Sequence, residues 1–340
     1  MGNSLFFRGL VSIDVDEILV LDDSSQQNSV FYTFKMPHFR FYLFLFSFSL
    51  LAIGCKKDPD LIKDNQAPYY SEVSDLLIEN YIQRVYIDQI GREPFNSEMN
   101  SERMTLKAAD LSFEARKAMI VKLQSNTDFI DGDISYKHAY YNRLYEQGKA
   151  RFMEAVSNAE IGEVMGPIGA GILPDSLNGN WEGVAERRLQ LAKLQAVLDS
   201  EEAYFNGDIG IADMCAAMLN NAVYDEINMN TFNFVNASFD NSFFRYPTES
   251  EFYAGFNMIE YNQPGSLLGK SGQNKSEFVN ILVESREFYE GLIVWSYQVL
   301  LAREPSTAET NQLMTNLWLD HDLQQVQKAI MITDEYAHFD

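Results

Sequence analysis

One frame is written three times along this chain of 340 residues, and an internal repeat limits the architecture before any single residue does. Tyr297 to Glu309 reads Tyr-Gln-Val-Leu-Leu-Ala-Arg-Glu-Pro-Ser-Thr-Ala-Glu, with the aromatic six residues before Arg303 and Glu309 six residues after it. Tyr86 to Glu98 keeps this spacing around Arg92 and Pro94, and Phe239 to Glu251 keeps it around Arg245 and Pro247. Each copy closes with an apolar run and an acidic–aromatic pair: Asp128-Phe129, Glu287-Phe288 and Glu335-Tyr336.

The aromatic and the leucines of the frame fall at helical spacing, which predicts the last turns of an amphipathic helix. Arg303 then sits in the final turn, where a cation complements the negative end of the helix dipole. Pro305 ends the helix, because the residue before a proline is pushed out of the α region. Ser306 with Glu309, and Thr248 with Glu251, form capping boxes that open the next helix. In the first copy Phe95 stands at the cap position, which leaves Asn96 to cap. Each unit reads as a helix–turn–helix corner followed by a further helix. Arg92, Pro94, Glu98, Arg245, Pro247, Glu251, Arg303, Pro305 and Glu309 are its corner residues, structural in role; a functional Arg–Glu pair is the competing reading.

The corner resembles two families. One is a bacterial helical domain of unknown function whose core reads Tyr-x-x-Leu-Leu-Gly-Arg-Glu-Pro; the other is the related repeat of phycobilisome linker polypeptides. Gly91 matches the family glycine and Ala302 does not, and the second copy lacks the glutamate between arginine and proline. The resemblance implies a helical fold and is silent on activity. Together with the periodicity it gives an all-α expectation: helical repeats packed with a central helical insertion.

The N-terminal region carries an address. Residues 1–35 hold no cap, repeat or sustained periodicity and read as a start-site artefact. From Met36, Arg40 precedes an apolar run from Phe41 to Ile53, the layout of a secretory signal and too short to span a bilayer comfortably. The ending Ala52-Ile53-Gly54-Cys55 resembles the lipobox of bacterial lipoproteins, so 36–54 is read as the signal peptide and Cys55 as the lipidated residue. Lys56-Lys57-Asp58-Pro59-Asp60 is similar to the export signals of surface lipoproteins of Bacteroidetes type, and 55–70 becomes a lipidated tether. The resemblance implies an outer-membrane, surface-exposed protein held by acyl chains.

The remaining assignments follow the repeats. Repeat 1 spans 71–130, repeat 2 234–290 and repeat 3 291–340. From Val73 the stripe Val73, Leu76, Leu77, Tyr81 and Val85 predicts the first helix. Residues 131–233 are a helical insertion with stripes at Tyr141, Leu144, Tyr145, Phe152 and at Ile211, Met214, Cys215, Met218. Between them, Gly162 to Gly183 holds six glycines and two prolines in 22 residues. This reads as a long loop, of the kind that is often functional; Pro167, Pro174 and Trp181 mark it as the candidate partner contact.

Composition bounds the partners. The chain carries −23 at neutral pH, and the leader to Cys55, with three basic and five acidic residues, contributes little of it. Such a field opposes nucleic acid. Cys215 lies on an apolar stripe and reads as a small buried hydrophobe. Gly269-Lys270-Ser271 has Pro264 where a phosphate loop needs glycine and reads as a polar loop. His138, His321 and His338 form no zinc pair. Asp128, Asp131 and Asp133 lack the glycine and glutamate of a calcium loop and read as helix-end residues. No cofactor or metal is expected. The expected function is a non-catalytic scaffold or binding component of a cell-surface assembly, with a protein partner at the outer membrane. The alternative is a hydrolase acting on an extracellular polymer such as a polysaccharide.

Overall fold

A computed structural model describes residues 73–130 and 132–339. The leader, Cys55, the tether and Asp131 lie outside the described residues. Among the described residues the fold is all-α apart from one short hairpin.

Helix α1 (Asp75–Ile90) opens where the Ser74 hydroxyl accepts a hydrogen bond from the Leu77 amide, satisfying one of the free N–H groups of a first turn. Its buried stripe is Ile78, Tyr81, Ile82, Val85, Tyr86 and Ile90. Leu76 and Leu77, expected on that stripe, face solvent. Helices α2 (Asn96–Ala108) and α3 (Phe113–Ser125) complete the first unit. The central segment supplies α4 (Tyr136–Phe152), α5 (Asn158–Ala170), α6 (Ile172–Leu177), α7 (Trp181–Asn206), α8 (Ile211–Leu219) and α9 (Ala222–Asn228). The second unit is α10 (Thr231–Phe243), α11 (Glu249–Tyr261), hairpin β1 (Gly265–Leu267) and β2 (Lys270–Gly272), and α12 (Lys275–Val283). The third is α13 (Arg286–Leu301), α14 (Thr307–Asp320), α15 (Leu323–Met331) and α16 (Asp334–Ala337).

The hairpin was not expected as strand. Leu268 and Gly269 both take positive φ, 50° and 78°, the pattern a tight two-residue hairpin turn requires. Gly269-Lys270-Ser271 therefore turns a hairpin, and Lys270 pairs with Glu284 at 2.7 Å.

Helix α4 is the centrepiece, packing against α1 and α3 on one side and α7 and α8 on the other. The second and third units meet through α10 and α13. The third unit also returns to the first: α15 packs on α3, and α16 packs on α1. The Tyr81 hydroxyl donates to the Met331 carbonyl at 3.2 Å, and Tyr140 donates to Gln327 at 2.7 Å. A linear stack in which each unit touches only its neighbours does not describe this packing.

Candidate functional site

The three arginines of the repeated frame occupy the same local geometry. Each helix preceding them ends in a residue in the left-handed region: Gly91 at φ 74°, Phe244 at 58° and Ala302 at 52°. That turn aims the guanidinium across the corner. Arg245 donates from Nη1 and Nη2 to the two carboxylate oxygens of Glu251, both at 2.9 Å, and from Nη1 to the Tyr246 carbonyl at 3.0 Å. Arg303 repeats the set on Glu309 at 3.1 and 2.7 Å, and Arg92 on Glu98 at 2.7 and 2.8 Å. The planar fork of arginine makes such paired bonds, which a lysine cannot. Each guanidinium also lies within 5.8 Å of the frame's aromatic: Tyr86, Phe239 or Tyr297.

The same glutamate caps the next helix. Glu251 accepts from the Thr248 amide at 2.7 Å, and Glu309 from the Ser306 amide at 2.6 Å. In the first copy Asn96 does not cap: it is the first helical residue. Phe95 takes the cap position, Glu98 accepts its amide at 2.6 Å, and the Phe95 ring lies 4.1 Å from the Arg92 guanidinium carbon instead.

A second carboxylate closes each corner. Glu287 and Glu335, from the closing acidic–aromatic pairs, bind Arg245 and Arg303. The first copy departs: Asp133, not Asp128, accepts a hydrogen bond from Arg92 Nε, at 2.5 Å. Hydrogen bonds from Arg245 and Arg303 hold Glu251 and Glu309 down to about 2. Burial pushes Glu98 up, but Arg92, the Tyr136 hydroxyl and the Phe95 amide together hold it below the usual carboxylate range. Carboxylates so engaged stay ionised and have little capacity left for substrate. Pro94, Pro247 and Pro305 stand just before the following helices, where a missing N–H costs nothing.

The segment 162–183 is not a loop. It is helix α5, the short α6 and the first turn of α7, and the physical reason lies at their starts and in their packing. Ser157 and Glu160 form a reciprocal capping box that launches α5. Pro174 is the third residue of α6, where its missing N–H is an orphan anyway. Asn180 caps α7 by accepting from the Gly183 amide at 3.1 Å, and Arg187 reaches back to Asp175 at 2.6 Å. Packing of α5 on α7, with Ile161, Val184, Leu194 and Val197 buried, offsets the roughly 1 kcal/mol that each glycine costs in a helix.

Pro167, Pro174 and Trp181 are all exposed on this arm. With them are apolar residues that composition had not singled out: Leu173, Leu177 and Leu189. Leu177 is 79 % and Trp181 67 % exposed, and α6 holds no buried residue. Along α7 the exposed Trp181, Ala185, Leu189, Ala192 and Ala196 recur at intervals of three and four, which lines them up on one side of the helix. This arm is the candidate contact surface.

The other candidate chemistries resolve into packing. Cys215 is fully buried, and burial alone pushes its thiol up. His321 stacks on Tyr289 at 4.5 Å, His138 lies 5.2 Å from Phe205, and His338 Nε2 is 2.9 Å from Arg84. Among the described residues no group of three or more His, Cys, Asp or Glu is placed to hold a metal ion, and no helix is long and apolar enough to cross a membrane. Asp88 is pushed up by burial, partly offset by its Tyr336 and Arg84 partners; it lines a cavity of about 10 Å³, room for one water. No model of a known protein family, no curated protein and no solved structure matches this chain.

Proposed function

We propose that this chain is an outer-membrane lipoprotein, anchored through acyl chains on Cys55 and displayed at the cell surface, that serves as a non-catalytic binding component of a surface assembly. The observation that carries the reading is the exposed apolar end of the α5–α7 arm, with Leu173, Leu177, Trp181 and Leu189 open to solvent on a well-capped helical base. A clustered apolar surface of this kind marks a contact site, whereas scattered single residues do not. The three Arg–Glu corners, which resemble those of linker repeats, serve as rigid joints within the three units, while the arm is seated on α4, α8 and α9. The hydrolase alternative asks for two free carboxylates facing a cleft, and Glu251, Glu309 and Glu98 are each bound by an arginine.

The test is a pull-down of the native protein from detergent-solubilised outer membrane, with Cys55→Ala and Leu177→Glu as variants. A stoichiometric membrane partner, lost in Leu177→Glu, is the expected result. Recovery of the protein alone from wild type would overturn the reading.

A further inference from the structure

A concave site lies where α9, α10, α11 and α12 meet, with α9 also packing on the arm helices α5 and α7. Asp225, Met229, Thr231, Phe234, Ile259 and Lys275 line a cavity of about 210 Å³. Pockets that take drug-sized ligands run to roughly 300–1,000 Å³, so this one suits a single ring.

Its walls are of two kinds. On the polar side Lys275 Nζ donates to Asp225 Oδ1, and the Thr231 hydroxyl donates to Glu260 at 2.5 Å. An ammonium has three donors and a carboxylate two acceptor oxygens. The pair therefore keeps donors on Lys275 and the second oxygen of Asp225 for a ligand, side by side. On the apolar side are Phe234, whose ring centre is 4.3 Å from Lys275 Nζ, with Ile259 and Met229. Burial lowers Lys275 from its ordinary value, Asp225 acting in the opposite sense.

Met229 adds an independent sign. It ends α9 at φ 58°, ψ −30°, a backbone an unbranched side chain rarely takes, and stands 81 % exposed at the cavity. Strain at an exposed residue bordering a pocket points towards use of that pocket rather than packing. The same two helices, α10 and α11, carry a run of rings: Phe232 against Phe252 at 5.1 Å, Phe252 on Phe256 at 5.8 Å, and Phe256 against Tyr261 at 6.0 Å. Phe232 and Tyr261 are exposed.

We propose that this cavity binds one ring of a neutral carbohydrate chain, with Asp225 and Lys275 bridging adjacent hydroxyls and Ile259 and Met229 facing the C–H side of the ring, the buried Phe234 fixing the Lys275 ammonium beside them. Adjacent hydroxyls need a donor and an acceptor placed together, which the pair supplies. The C–H face of a pyranose needs an apolar wall. The net charge of −23 disfavours acidic sugars, and Lys275 disfavours cationic ligands. The ring run on α10 and α11 gives neighbouring sugar units a surface to stack on. This site stands independently of the assembly reading.

The test uses the full lipidated chain in a detergent without a sugar head group, labelled on its methionine methyls, with Met229 assigned by Met229→Leu. The probes are methyl glucoside, methyl mannoside and methyl galactoside and the corresponding linear hexasaccharides. At least one hexasaccharide is expected to move the Met229 methyl and to bind more tightly than its monosaccharide. Asp225→Asn should weaken it at least tenfold. Met229→Gly relieves the backbone strain and removes the side chain at the rim, so it should fold at least as well and, with its binding read by calorimetry because the reporter methyl is gone, still bind several-fold more weakly. Leu319→Ser, on α14, should bind as wild type. The proposal is overturned if no probe moves the Met229 methyl up to about 10 mM, or if Asp225→Asn and Met229→Gly both bind as wild type.

Discussion

Gly291 of α13 lies against the carbonyl oxygen of Ser242 in α10, so closely that a Cβ on Gly291 would collide with that backbone. The second and third units are joined at this crossing, and neither partner is a side chain that can rotate away. Gly291→Ala should therefore force the two helices apart. Overpacking of this sort costs about 1–3 kcal/mol, and backbone on the other side puts the cost at the upper end. Thermal unfolding of the variant should show a clear fall in Tm, and an unchanged Tm would mean the helices separate freely.

Ala302 and Gly91 do the same job with different side chains. Both end a helix in the left-handed region before a corner arginine, at φ 52° and 74°. A Cβ there costs roughly 1–2 kcal/mol, while glycine adds about 0.4–1 kcal/mol of unfolded-chain entropy to be lost. Ala302→Gly should leave a net gain of about 0.5–1 kcal/mol, read as a higher urea midpoint with unchanged slope. Gly91→Ala should lose about the same amount.

Acid should loosen the corners over a defined window. Glu251 and Glu309 are held down to about 2, below the 4.5 of the free side chain, by hydrogen bonds from Arg245 and Arg303. A lowered folded-state value means the stabilisation is whole above about pH 4.5 and drains away as pH falls towards 2. Glu251→Gln with Glu309→Gln should flatten the stability curve over that window and lower it at neutral pH. Denaturant titrations at a series of pH values measure both effects, and parallel curves for variant and wild type would count against the corner network.

The corners were legible in the sequence because their turn, cap and Arg–Glu pair are local, although the second carboxylate of each is 32 to 42 residues away. Proline, capping residue, arginine and glutamate lie within a few positions of one another, and hydrogen bonds of fixed reach tie them together. What failed was either compositional or distant. Six glycines and two prolines suggested a loop at 162–183, yet Ser157 with Glu160 spells a helix start, and packing of α5 on α7 outweighs the intrinsic cost. The acidic–aromatic pairs carry no sign of which acid reaches an arginine: Glu287 and Glu335 do, whereas in the first copy the turn through Gly132 at φ 84° brings Asp133, outside the pair Asp128-Phe129, to Arg92. The Asp225–Lys275 cavity draws on residues 50 positions apart across four elements, a juxtaposition no spacing rule contains.

Arginine at the corner should not be replaceable by lysine. Arg245 serves Glu251, Glu287 and the Tyr246 carbonyl at once, which needs the five donors of a planar fork. Exposed single ion pairs contribute only about 0.2–1 kcal/mol each, so Arg245→Lys, which keeps the charge, should recover only part of the roughly 1–2 kcal/mol lost in Arg245→Ala. Urea unfolding of the two variants measures the split. Full rescue by lysine would show that charge alone holds the corner.

Tyr336 and Asp88 couple the last helix to the first, and their coupling should be pH-dependent. The Tyr336 hydroxyl donates to Asp88 at 2.7 Å, and its ring lies 4.2 Å from the Arg84 guanidinium carbon and 6.1 Å from Tyr81. Burial pushes Asp88 up while the Tyr336 hydroxyl pulls it back. Tyr336→Phe keeps the ring and removes the donor, leaving the carboxylate desolvated with only the charges of Arg84, 3.8 Å away, and Arg143 to favour its ionised form. Asp88 should then rise further. A raised folded-state value means the cost is absent below the ordinary carboxylate value, where folded and unfolded chains are both protonated, and grows as pH rises through the folded value. Tyr336→Phe should thus destabilise by about 1–3 kcal/mol at neutral pH, and by less at a pH where Asp88 carries its proton. Urea unfolding at a series of pH values from 7 down to 3 separates the cases: a loss that stays equal across the series would mean that it does not arise from the ionised Asp88 carboxylate.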